Sequence, residues 1–253
     1  MSHPHHLDLA LLVMAAAIGY ELLAARVPDW PPRRTLFFLA GAALLVAGLT
    51  LEAAGFRAHM LQHLLIGMLA PLGLVLGAPV TLLLRTSPRP VARLIGRALR
   101  HRAVHLVANP VTALALNLGG LAVLHVTPLY AATTRDPALA TLVHVHFVLS
   151  GYLFAWVVAG PDPAPRRPSV PARLVVLGVA VAFHSIFSQL LYAGVIDVPA
   201  AAEERRGGAE LMYYGGDIAE LLLAAALVSG WRPRRQGVKT ARTQSSSLSL
   251  NIR

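Results

Sequence analysis

Apolar and polar residues fall in this chain into long blocks. Seven apolar stretches, at 7–25, 35–53, 59–84, 111–130, 139–159, 172–196 and 211–230, are separated by connections such as VPDWPPRR, PDPAPRRPSVP and WRPRR. A helix rises about 1.5 Å per residue and the hydrocarbon core of a bilayer is about 30 Å thick, so each stretch is long enough to cross. The pattern predicts an all-α, polytopic membrane helix bundle with about seven transmembrane helices. The third stretch exceeds what a crossing needs, and Pro71 and Pro79 are expected to bend or end it.

Composition agrees with that reading. The 253 residues are 56% hydrophobic and 13% charged, with a mean hydropathy of +0.60, too apolar for an ordinary soluble domain. The net charge of +10 does not point to nucleic acid, because the arginines sit in the connections between apolar stretches. Eighteen of the 22 Lys and Arg fall on one side of the bundle, against Arg57, Arg135, Arg205 and Arg206 on the other. Since cytoplasmic loops hold the positive charge, the N-terminus is expected outside and the C-terminus inside. Arg93, Arg97 and Arg100 recur at helical spacing and predict a short basic helix on the lipids of the inner leaflet. Residues 1–231 read as one transmembrane helical domain and 232–253 as a polar cytoplasmic tail, expected to be disordered. There is no cysteine, which excludes disulfides and thiolate metal sites within this chain.

The orientation gives each intramembrane polar residue a depth. His59, His63, His144, His146, Asp217 and Glu220 fall in outer halves of helices, His125 lies near an outer end and His184 near mid-depth. Ionisable side chains inside a membrane are costly, so a shared depth points to function. Imidazole with carboxylate is a ligand set for copper or another divalent transition metal. His59 and His63, four residues apart, lie on one helical face and suit a single ion. Asp217 and Glu220 fit either the ligand set or the support of its imidazoles. His144 and His146 lie about 200° apart around a helix, so one ion cannot take both from a regular helix. His184 belongs either to the ligands or to a hydrogen-bonded group with Ser185, Ser188 and Gln189. Met60 and Met212 share the outer level, and His3, His5 and His6 form an N-terminal tail for which loose metal capture and plain disorder both stay open. The outer side carries nine carboxylates against its four arginines, a field that draws cations.

The run HMLQHLLIGMLAPLGLVLGAP resembles the H-M-x-Q-H motif and broken helix of the multi-spanning CtaG-like family of cytochrome c oxidase assembly factors. HVTPLY, from His125 to Tyr130, and LVHVHFVLSGYLFAW are similar to its further motifs, with Leu124 standing where family members often have tryptophan. The resemblance implies a non-enzymatic role in maturing a haem-copper oxidase. It further implies copper as the ion, oxidase subunits as partners, and the bacterial plasma membrane as the location. It maps onto His59, Gln62, His63, His125, Pro128 and Tyr130, with His146 ahead of His144 as the fifth-helix histidine. Two other functions use similar residues: a membrane redox protein with bis-histidine haem, and a metal or proton transporter. Transport needs an inward path, and the inner halves of the segments offer Glu21 as their obvious carboxylate.

Overall fold

The computed structural model describes residues 4–230 apart from 53 and 166. His3 and the tail at 232–253 lie outside the described residues, as do the side chains of His5 and His6. Helices α1 (Pro4–Ala24), α2 (Pro32–Thr50), α10 (Pro137–Ala159), α11 (Val170–Ala193) and α12 (Ala202–Ser229) are each long and apolar enough to cross a membrane, as is the broken span Phe56–Thr86. A seventh apolar helix, α8 (Pro110–Val126), has 17 residues, close to the lower limit for a crossing. No strand occurs among the described residues. The molecule is therefore a multi-pass, all-α membrane protein.

The broken span occupies the middle of the bundle, against α2, α10 and α12. Half of its residues are buried inside the molecule, against 17% for α1, which turns Leu11, Leu12, Ile18 and Leu22 outward. The span starts as α3 (Phe56–Leu64), passes through a π-helical turn (Leu65–Leu69) and continues as α4 (Ala70–Leu76). In the wide turn the Ala70 N–H donates to Leu65 O, five residues back. Pro71 has no N–H to give, so the Gly67 carbonyl lacks its usual helical donor. Gly151 of α10 packs onto that carbonyl so closely that any Cβ there would collide with it. Of the two outcomes expected for Pro71, bending or ending the span, the helix does not end there.

The break comes at Gly77 and Ala78, where Ala78 adopts a left-handed φ of 53° before α5 (Pro79–Thr86) begins with Pro79 in its first turn. Two distant segments hold the break. Tyr20 Oη donates to Gly77 O at 2.7 Å. Buried Asp162, from the α10–α11 connection, accepts from Val80 N–H, Thr81 N–H and the Thr81 hydroxyl at 3.0, 2.7 and 2.6 Å. Higher in the span, Gly41 of α2 and Gly73 of α4 bring two backbones together with no space for a side chain between them.

The other boundaries follow local chemistry. The expected fourth stretch ends early because Pro128 stops α8 at Val126, and the short helix α9 (Leu129–Thr133) folds back. The last helix starts at Ala202 rather than near 211, because Ala-Glu-Glu-Arg-Arg is good helix sequence with acids in its first turn. The basic stretch forms α6 (Arg89–Leu99), with no buried residue, followed by α7 (Arg102–Val107). One end of the bundle gathers arginines and the other gathers histidines.

Candidate functional site

At the histidine end, α3 begins on Gly55, whose φ of 101° lets the chain turn into the helix. Glu204 in the first turn of α12 accepts from Arg57 N–H at 3.2 Å, tying the heads of α3 and α12 together. Phe56, 1% exposed, points inward and serves as a platform. Its ring meets His125 edge-on at 5.9 Å between centroids and Tyr130 at 5.5 Å. His59 lies 5.7 Å from His125 and 4.7 Å from Tyr130. The turn at Thr127 and Pro128 is what folds Tyr130 of α9 back over the histidine that precedes it. Burial, together with the Glu204 carboxylate, holds the Tyr130 phenol above its ordinary pKa, so it stays protonated at neutral pH.

One turn deeper, His63 is buried with its ring edge-on to Phe147 at 4.7 Å. It is within electrostatic reach of His59, His125, His144 and His184. His59 and His125 thus stand ring to ring, with His63 one turn deeper on the helix of His59. Gln62, beside them on α3, donates to Gly48 O of α2 at 2.9 Å and has a structural role, fixing the rotation of α3.

Several imidazoles have buried ring nitrogens without a hydrogen-bond partner. His125 Nδ1 lies 3.0 Å from Leu121 O, and a carbonyl only accepts, so Nδ1 carries the proton and Nε2 keeps its lone pair. That Nε2, His59 Nε2, both ring nitrogens of His63 and, against α8, His146 Nε2 are buried without a hydrogen-bond partner. An unsatisfied buried polar atom costs about 1–3 kcal/mol, so nitrogens placed this way call for a partner from outside the chain. A ring nitrogen binds an ion such as zinc at about 2.0 Å, and two imidazoles 5.7 Å apart between centroids can share one. No three of the His, Cys, Asp or Glu residues among those described stand close enough together to hold an ion as they lie. Ligation by three of them would need a change of rotamer.

His184 is paired. Its Nδ1–H donates to Glu220 Oε1 at 2.6 Å, both groups are buried, and Glu220 Oε2 has no partner. The pair borders a cavity of about 20 Å³, room for one water, lined also by Asn117 and Met68. Ser188 and Gln189 make no bond to His184 among the described residues.

The remaining candidates lie elsewhere. His146 packs against Gly120 of α8. Its Nε2 is buried without a hydrogen-bond partner, and because α10 is regular from Pro137, His146 and His144 point to different sides of the helix. Asp217 is half-buried and makes no ion pair with a histidine among the described residues. Met60 and Met212 are buried in the apolar core around Phe56.

This arrangement joins HMLQH, HVTPLY and the LVHVHF segment in one place. Residues 15–234 match the cytochrome c oxidase caa3 assembly factor family. The chain belongs to that family. It is also similar to uncharacterized proteins of Mycobacterium bovis and Mycobacterium leprae. It is 34% identical to the former over 189 residues, 70% of this chain and 29% of that protein. It is 30% identical to the latter over 244 residues, 85% of this chain and 37% of that protein. The chain thus spans about a third of the length of these curated relatives. No solved structure matches it.

Sequence reasoning missed Phe56, Glu204 and Asn117. Phe56 stands three residues before His59, on the same helical face, and that spacing was the available signal. Nothing local marks Glu204 or Asn117, whose roles come from helices that meet only in the fold.

Proposed function

We propose that this protein is a non-enzymatic assembly factor of the bacterial plasma membrane that takes up copper at its outer face and passes it to a cytochrome c oxidase subunit. His59, His63, His125 and His144 are the ligand set, and Glu220 orients His184 beside them. The observation that carries the reading is the group of partnerless ring nitrogens on His59, His63 and His125, converging under Tyr130. Copper here is cargo. A cluster that must change rotamer to ligate suits an ion that is held and then released, and imidazole binds copper without thiolate. The outward direction rests on the placement of the arginines, which leaves the histidine end on the acidic side of the membrane. Phe56 and Tyr130 pack against both His59 and His125, occupying the space a haem macrocycle between them would need.

Purified protein in detergent is expected to bind copper, and His59→Ala with His63→Ala to abolish most of that binding. The same double variant should lower the activity of the oxidase assembled in cells. Full binding and full oxidase activity in the double variant would sink the proposal. A Soret band in the wild type would replace it with the haem reading.

A further inference from the structure

The His184–Glu220 pair has the form of a supported ligand. A histidine that binds a metal commonly donates its other ring N–H to a carboxylate, which fixes the tautomer and raises the basicity of the ligating nitrogen. His184 is set up in this way: Nδ1–H is committed to Glu220 Oε1 at 2.6 Å, so Nε2 is the nitrogen left for an ion. His184 is 4% exposed and Glu220 3%, and no Lys or Arg pairs with Glu220 among the described residues. A neutral imidazole beside a carboxylate carries one negative charge, which a monovalent cation cancels.

The void of about 20 Å³ beside the pair is the size of one ion or one water. Its lining adds Met68 and Asn117 to His184 and Glu220, and includes apolar Leu72 and Phe154. A water would bond to Asn117 and the pair and would draw nothing from a thioether. Imidazole with thioether is a donor set for soft, monovalent copper. Met68 lies in the π turn of the central span, and such turns are frequent at functional sites.

The void also adjoins the histidine cluster. Gly67, in the same π turn, borders it. A Cβ on Gly67 would lie 3.4 Å from His63 Cε1, 3.5 Å from His63 Nδ1 and 3.7 Å from Phe147 Cβ. Glycine thus keeps open the space beside the His63 ring, on a residue that also lines the void. His63 Nδ1 has no hydrogen-bond partner, and His184 is within electrostatic reach of His63. We infer that the void is a second, deeper station for monovalent copper, held by His184 Nε2 and the Met68 thioether with Asn117 at its edge, and filled from His63 past Gly67. The inference rests on the copper reading for its cargo and adds a site that the outer cluster does not need.

Purified full-length protein in detergent, kept reduced with ascorbate and titrated with Cu(I) against bicinchoninate, is expected to bind two ions. Met68→Leu, which conserves volume, should bind one. X-ray absorption at the copper edge should show a sulfur scatterer in the wild type, in Met60→Leu and in Met212→Leu, and none in Met68→Leu. Gly67→Ala places a methyl at ordinary contact distance from its neighbours, so the protein should fold and fill the second site several-fold more slowly. Two ions bound by Met68→Leu, or a sulfur scatterer that survives it, would overturn the inference, as would filling of Gly67→Ala at the wild-type rate. A wild type that takes one ion, on nitrogen alone and dependent on His59 and His63, would leave the outer ligand set standing and remove the deeper site. One sulfur-bound ion that survives His59→Ala with His63→Ala would keep the deeper site and remove the outer set. A wild type that binds no copper removes both.

Discussion

At the scale of single residues, the His184–Glu220 pair is the clearest case of a charge-bearing group kept inside the membrane by a specific partner. Breaking such a pair from one side costs more than the pair contributes, because the abandoned group stays buried. Glu220→Ala is expected to destabilise the protein by about 1–3 kcal/mol, read as earlier thermal unfolding in detergent. Glu220→Gln, which still offers His184 an oxygen, should recover most of that loss. Equal unfolding of all three proteins would show that the pair carries no structural weight. The sequence made the histidines visible as candidates because ionisable residues stand out in apolar runs. It did not make their partners visible: Gln62 reads as part of a ligand motif, yet its amide is spent on Gly48 O. The choice between His144 and His146 was equally closed, since helical spacing says only that they diverge and not which of them turns toward α3.

Among the elements, the spans were legible because burying a backbone in lipid demands long apolar helices, whatever the tertiary fold. Their ends were less so. Pro128 halted α8 as its chemistry dictates, but Pro71 sits unbroken in the central span because the π turn and Gly151 accommodate the carbonyl it leaves without a donor. The start of α5 depends on a residue about eighty positions away, the Asp162 carboxylate, which no local pattern announces. Asp162→Ala removes three hydrogen bonds from that helix start and should cost about 1–3 kcal/mol in detergent unfolding, with copper capacity intact because the site lies at the other end of the bundle. A loss of copper binding in that variant would show the two ends to be coupled.

For the whole molecule, the uneven distribution of arginine separates a basic end, with α6 and its exposed arginines, from a histidine end. A fluorescent protein fused to the C-terminus is expected to fold and glow in the cytoplasm, and alkaline phosphatase fused there to stay inactive. The opposite pair of results would turn the histidine end inward and remove the outer copper reading. Between the two ends runs the central span, and its π turn has a consequence for how the molecule divides its work. One residue inserted into a helix advances everything beyond it by about 100°. The head of this span, with His59 and His63, and its foot, with Gly73 seated on Gly41, are therefore phased independently, like two keys cut on one shaft. The foot can stay locked against α2 while the direction of the imidazoles is set at the head alone.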